Sequence, residues 1–328
     1  MTTQNDLITI PGLEDLTRRE FLSSALAAAF VIACSDDDAP EESASTRDID
    51  TPMGVVAVPV NPQRVFCLHP YAAYALLDVG VEPAGIPELP AGLLKPQYAS
   101  RLEGKPTASV TAGSMDLEAI AALQPDLIVG VVNQVRDVYD QLRAIAPTVA
   151  FATVTTTANW EELVRNFSDA VNRVDALEPL MVDYRARAAA IREAHAATLE
   201  SIRVAFIEAR GTDWYLYTPT SSHGQVLAAA GVRFASPGDD ETQYVLDFNY
   251  ETIGVLDQAD VVLASALSDG RFDPDTQNLI DQPVFALLPA ARAGQVYPIT
   301  NIFPTSYLQA TAFLDELEAV LEKIEARP

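Results

Sequence analysis

The run from Asp175 to Ser201, DALEPLMVDYRARAAAIREAHAATLES, constrains what this chain can fold into more than any other stretch. Its apolar residues Leu177, Leu180, Met181, Tyr184, Ala188, Ile191 and Leu199 recur at steps that keep one helical face apolar. Asp175 is the expected N-cap, with Glu178 three residues later completing a capping box. Pro179 falls in the first turn, and Ala188 to Ala190 are strong helix formers. The spacing predicts one helix over 175–201. About 25 residues at 1.5 Å each reach about 37 Å, more than a single small α/β layer needs. Such a helix either lies along one domain or bridges two, and the flanks decide.

Both flanks alternate strands with helices. Before the helix, from Met53 onward, short β-rich runs at Val55–Val58, Val65–Leu68 and Leu127–Val129 are separated by helical patterns at Tyr71–Leu77 and Asp116–Leu123. After it the alternation restarts, with strands at Arg203–Glu208, Trp214–Tyr217 and Val261–Ala264 and a helix closing on Gly231. A chain of 328 residues is long enough for two such units. The expectation is an α/β protein with one lobe over 51–174, a connecting helix over 175–201 and a second lobe over 202–328.

Ligands of such sheets sit beyond the carboxyl ends of the strands. In the first lobe this singles out His69 and Tyr71 after one strand, and Val132, Asn133, Gln134 and Arg136 after another. Cys67, inside the run, reads as a small core residue. In the second lobe Trp214, Tyr215, Tyr217, Tyr244, Phe272 and Phe303 lie in or beside loops, with Arg210 and Arg271 after strands and His223 nearby. Aromatic rings with a few polar groups suit a bulky organic ligand. Alternation requires part of the 214–217 run to face the core, and the sequence leaves open which part.

The first fifty residues are of a different kind. Arg18-Arg19 followed by Phe21-Leu22 resembles a twin-arginine export signal, and the apolar run that ends at Ala33-Cys34 is too short to span a bilayer. Val31-Ile32-Ala33-Cys34 resembles a lipobox, which makes 1–33 a signal peptide and Cys34 the lipidated residue that anchors the chain to the membrane. Residues 34–50 are acidic with almost nothing to bury, and read as a solvated tether. The net charge is −25; loss of the signal removes two arginines and four acids and leaves −23. That field excludes nucleic acid as a partner. With only Cys34 and Cys67 present, and Cys34 acylated, no intramolecular disulfide forms.

The order of motifs, TPMGVVAVPVNPQRVFCLHPYAAYALLDVGVEPAGI, then MDLEAIAALQPDLIVG, then QLRAIAPTVAF, resembles the extracytoplasmic binding proteins of ABC importers for ferric siderophores, haem and cobalamin. The likeness runs from Thr51 to the end of the chain. It implies the class III architecture, two α/β lobes joined by a single long α-helix, with Asn159–Asn172 as the last helix of the first lobe. It also implies that Glu118 and Glu251, at matching places ahead of Pro-Asp-Leu-Ile and Ala-Asp-Val-Val, dock onto arginines of the membrane permease. Each glutamate also suits the first turn of a helix in its own right.

The expected function is therefore capture of a ferric siderophore by a lipid-anchored, extracytoplasmic, monomeric non-enzyme that hands it to a permease. The iron is held by the chelator, and no metal or cofactor by the protein. An acidic protein disfavours a highly anionic chelate, which points to neutral or cationic hydroxamates. A second reading is haem, with His69, His223 or a tyrosine as axial ligand. Cobalamin is disfavoured by Ala112, where resembling cobalamin binders place a tryptophan. Direct Zn²⁺ or Mn²⁺ capture is disfavoured by three scattered histidines, one of them His195 on the long helix. From another class, Ser221, Ser222 and His223 raise a hydrolase, but adjacent residues rarely form a working pair and no Gly-x-Ser-x-Gly elbow occurs.

Overall fold

The computed structural model describes residues 45–89, 94–111, 114–153, 159–240 and 242–327. The export signal, Cys34, most of the tether and Ala112 lie outside the described residues. The described chain opens on a hairpin: β1 (Thr46–Thr51) pairs antiparallel with β2 (Gly54–Pro59). Sequence alone puts 46–50 in the tether. The residues form a strand because alternation turns Ile49 into the core, at 4% exposure, while Asp48 and Asp50 face out. The turn needs Gly54, whose φ of 109° is closed to residues with a Cβ. Arg47 pairs with Asp169 at 3.2 Å, fastening the hairpin to the first lobe.

That lobe is built on parallel strands. β3 (Val65–Cys67) leads into helix α1 (Pro70–Asp78), then β4 (Ile86–Pro87), α2 (Pro96–Leu102), β5 (Thr107–Ala108), α3 (Leu117–Ala122) and β6 (Leu127–Val131). The short helix α4 (Val132–Val135) and α5 (Tyr139–Ile145) precede β7 (Thr148–Phe151), and α6 (Trp160–Ala170) closes the lobe. The sheet order is β3-β6-β7, all parallel, and the β4–β5 pair joins it through the bonds Cys67 N–H to Gly85 O and Ala84 N–H to Val65 O. Every residue of β3, β6 and β7 is buried, as strands covered on both faces require. Asn159 caps α6 by accepting from Glu161 and Glu162 N–H groups.

The connector departs from expectation at both ends. Helix α7 spans Leu177–Ala194 and α8 Ala196–Ser201, with a break at His195. Asp175 sits in a single 3₁₀ turn, Val174–Ala176, and no side chain caps α7. The break is one residue wide, since His195 N–H still bonds Ile191 O and Leu199 N–H still bonds His195 O. His195 is buried there, with Nδ1 2.9 Å from Glu325 and Nε2 3.8 Å from Glu318. Pro179 is tolerated in the first turn. Leu177, Tyr184, Ala188, Ile191 and Leu199 are buried, and Leu180 and Met181 pack against the same core.

In the second lobe β8 (Val204–Arg210) and β9 (Asp213–Tyr217) form a hairpin, followed by α9 (Ser222–Ala229), β10 (Val245–Asn249), a 3₁₀ run over Tyr250–Gln258, and β11 (Val261–Ser265). Helices α10 (Pro274–Ile280) and α11 (Pro289–Arg292), strand β12 (Val296–Ile299) and helix α12 (Tyr307–Glu325) complete the chain. The strand order is β10-β9-β8-β11-β12, with β8, β11 and β12 parallel and β9 and β10 antiparallel.

The last helix returns to the first lobe. Leu308 N–H donates to Asp78 at the end of α1, and Tyr98 OH lies 2.5 Å from both Asp78 and Ser306, the N-cap of α12. The rings of Trp160, Tyr184 and Tyr307 meet edge to face at 5.1–5.9 Å, joining α6, α7 and α12. Arg187 on α7 holds Asp315 and Glu318 on α12. Besides the connector α7, the start of α12 thus ties the two lobes together.

Candidate functional site

A cavity of about 620 Å³ is lined from both lobes. From the first come His69, Tyr71 and Tyr74, at and within the start of α1, and Lys95, which precedes α2. Pro70 supplies a first helical residue that needs no N–H partner, and His69 Nδ1 caps α1 by accepting Tyr71 N–H at 3.3 Å. From the second lobe come Glu208 and Arg210 on β8, Tyr215 and Tyr217 on β9, Tyr244 and Val245 at the start of β10, Ile302 and Phe303 after β12, and Gln309 on α12.

The period of two in a strand selects among the β9 aromatics. Tyr215 stands opposite Glu208 and Tyr217 opposite Phe206, on the cavity face, whereas Trp214 stands opposite Ala209 on the other. Trp214 is fully buried there, stacks on Phe248 at 4.7 Å and donates to Asn249 O at 2.8 Å. It is a core residue of the opposite face, not a cavity residue.

The polar groups form one connected cluster. Arg210 Nε and Nη2 donate to the two Glu208 oxygens at 3.0 and 3.3 Å, and Tyr217 OH donates to Glu208 at 2.5 Å. The Arg210 guanidinium also lies 5.4 Å from the Tyr215 ring and 5.7 Å from that of Phe303. Burial opposes the charge on Arg210, but Glu208 more than offsets this and raises its pKa. Lys95 donates to Thr300 O at 3.1 Å, and burial brings its pKa down to about 8 against the pull of Glu316 and Glu208. Burial also lowers His69 to about 4 and raises Tyr74 to about 12, and it raises Tyr71, Tyr217 and Tyr244 as well. At neutral pH the wall therefore offers neutral phenols, a neutral imidazole, one arginine–glutamate pair and the Lys95 ammonium, which a pKa of about 8 leaves mostly protonated.

Seven of the residues singled out from sequence meet at this cavity: His69, Tyr71, Arg210, Tyr215, Tyr217, Tyr244 and Phe303. Eight do not line it, Trp214 and the half-buried Val132 among them. Asn133, Gln134 and Arg136 leave β6 on α4 and just beyond, where Asn133 and Arg136 are exposed and Gln134 donates to Val110 O. Arg271 is exposed and pairs with Asp269, and Phe272 packs on the distant core that holds Trp214. His223 is fully buried behind the wall, where its Nε2 accepts Phe303 N–H at 2.9 Å. Its Nε2 is taken and its Nδ1, which then carries the proton, is buried away from the cavity surface, so the ring offers no axial position to haem. Ser221 is likewise committed, capping α9 through Gly224 N–H.

Sequence reasoning missed Tyr74, Lys95, Glu208 and Gln309. Two carried a signal: Tyr74 lies three residues after Tyr71 on the same helical face, and Glu208 two before Arg210 on the same strand face. Lys95 and Gln309 carried none. Glu118 lies exposed in the first turn of α3, behind the N-cap Asp116, and Glu251 lies exposed in the first turn of the Tyr250–Gln258 run, behind the N-cap Asn249. Both positions satisfy the helix-end electrostatics. Cys67 is buried as a core residue, and burial raises its thiol pKa out of the reactive range. Among the described residues no three His, Cys, Asp or Glu side chains come together as a metal site.

Comparison with known proteins places these features in a group. A family model described as periplasmic binding protein matches residues 65–302. A probable siderophore-binding lipoprotein of Bacillus subtilis, YfiY, is 32% identical over 172 residues, which are 49% of this chain and about half, 51%, of that protein. The Fe(3+)-citrate-binding protein YfmC of the same organism is 26% identical over 83% of this chain and 85% of its own. Among solved structures, the siderophore periplasmic binding protein from the fuscachelin gene cluster of Thermobifida fusca superposes with a TM-score of 0.69 at 28% identity, over 81% of this chain and 98% of that one.

Proposed function

The chain belongs to the periplasmic binding protein family, and from that premise we propose that it captures a ferric siderophore in the interlobe cavity and delivers it to an ABC permease. The observation that carries this reading is the cavity wall, in which Tyr71, Tyr74, Tyr215, Tyr217, Tyr244 and Phe303 surround a single paired arginine. Rings of this kind bury the organic body of a chelate, while phenol and guanidinium protons meet its oxygens. The iron stays with the chelator, and the protein turns nothing over.

The chelate class follows from charge. Arg210 is already compensated by Glu208, which leaves Lys95, mostly protonated at neutral pH and directed in part at Thr300 O, as the one further cation among the described lining residues. A trianionic catecholate or citrate complex would bring to this wall more charge than its one lysine balances, at the cost of desolvating the rest. Neutral or cationic ferric hydroxamates suit it better. His69, neutral and at the wall, keeps haem as the second reading.

The remaining parts of the reading extend beyond the cavity. Residues 1–33 act as a twin-arginine signal, Cys34 carries the lipid that holds the monomer at the outer face of the membrane, and Glu118 and Glu251 meet the permease. Calorimetric titration of the full chain in detergent with ferrioxamine B, ferric citrate, haemin and cobalamin tests the ligand. Micromolar or tighter binding of ferrioxamine alone is expected; preference for ferric citrate or haemin would refute the class, and no binding to any would refute the reading.

A further inference from the structure

The cavity wall depends on a residue that does not line it. Phe303 lies in the left-handed region, with φ of 53°, a conformation that a residue bearing a Cβ seldom adopts. Such a conformation persists only where its surroundings hold it. Here the hold is the bond from Phe303 N–H to His223 Nε2, 2.9 Å long. His223 is itself fixed: fully buried in α9, its ring stacks on Phe206 at 4.5 Å and lies against Tyr217 at 4.4 Å. Burial, helped by the positive fields of Lys95 and Arg210, holds its pKa well below the ordinary value, and only the neutral ring has a nitrogen free to accept.

The effect reaches the ligand site through the Phe303 ring. That ring stands 5.7 Å from the Arg210 guanidinium, with Tyr215 5.4 Å from the same group, and meets Tyr217 edge-on at 5.9 Å. Arg210 is thus held by two rings and by Glu208, and Glu208 in turn by Tyr217. We propose that His223 is a positioning residue of the ligand site: by accepting Phe303 N–H from a buried ring, it sets the Phe303 ring against Arg210 and so fixes where that cation is presented to the chelate. The proposal rests on the reading of the cavity as a chelate site.

The test is a double-mutant cycle on the full chain in detergent, with ferrioxamine B as the titrant. His223→Phe keeps an aromatic ring and removes the acceptor, and Phe303→Ala removes the group through which it acts. Each single variant is expected to weaken binding about tenfold, and the double variant no more than Phe303→Ala alone, because a residue acting through another adds nothing once that other is gone. Additive losses, or unchanged affinity in His223→Phe while the wild type binds, would overturn the proposal alone. A wild type that binds no chelate would overturn it together with the functional reading. Should His223→Phe not fold, the wild type still decides: with ¹⁵N-labelled histidine and phenylalanine, the Phe303 amide must show a coupling across its hydrogen bond to a histidine ring nitrogen. Absence of that coupling overturns the proposal.

Discussion

Asp78 carries an opposition between burial and bonding whose size can be worked out. It ends α1 and points at the start of α12, where it accepts from Leu308 N–H at 3.2 Å and from Tyr98 OH at 2.5 Å. Burial raises its pKa from an ordinary 3.8 to about 6, although Tyr98, the N–H groups of Leu308 and Tyr307, and Arg101 all favour the charged form. Because the folded pKa lies above the unfolded one, the folded state holds the proton more tightly. Stability contributed by this proton is present at low pH and lost as pH rises through about 6. With these two pKa values, the contribution is near zero at pH 7.5 and about 1.4 kcal/mol at pH 5. Asp78→Asn keeps the acceptor oxygen and does not titrate. Urea unfolding of both proteins at the two pH values should show the wild type gaining about 1.4 kcal/mol on the variant upon acidification. A difference that is flat with pH, or that grows in the variant's favour as pH falls, would refute the reasoning.

Arg210→Met should weaken ferric hydroxamate binding about 10- to 100-fold, through loss of charge-assisted bonds worth about 1.5–3 kcal/mol. It also strands the buried Glu208, so Tm should fall; adding Glu208→Gln should recover Tm without recovering affinity, and recovered affinity would count against a ligand role for Arg210. Trp214→Phe removes the bond to Asn249 O and part of a buried ring, and should cost about 1–3 kcal/mol by urea unfolding with unchanged affinity in titration. Charge reversal at both Glu118 and Glu251 should abolish uptake by cells while titration shows intact ligand binding; intact uptake would remove the docking role. Small-angle scattering with and without ligand should show a change in radius of gyration of about 1 Å or less, and a larger contraction would contradict lobes tied together by more than α7.

The alternation of strands and helices was legible because parallel strands buried on both faces leave continuous apolar runs such as Leu127–Val131. The hairpin strand Thr46–Thr51 was not, since only Ile49 of its six residues is buried and its charges read as tether. Nor was the break at His195, where neither glycine nor proline marks the site and the ring is drawn to carboxylates 123 and 130 residues away. At the cavity, local pattern could say that Trp214 and Tyr215 face opposite ways; only the packing of α9 and α12 decides which side is the ligand's. Lys95 and Gln309 reach the site from a loop and from the last helix, so their roles depend on long-range chain return that no local pattern carries. His223 misled for the opposite reason. A histidine in a polar run suggests a ligand, and its burial comes from Phe206 and from Phe313 on α12, far away in sequence.

The return of α12 to the first lobe bears on the speed of capture. With Asp78, Tyr98 and Ser306 closing a second joint beside α7, the cavity is formed before any ligand arrives, and affinity is not divided by a small competent population. Association should then rise linearly with chelate concentration, with no plateau from a gating step, and differences among chelates should appear in how long each one stays. A receptor of this kind retains its cargo passively. Under the proposed delivery to a permease, release would require that partner to work against these joints, so mutations that stiffen the Asp78 joint should slow delivery while leaving capture unchanged.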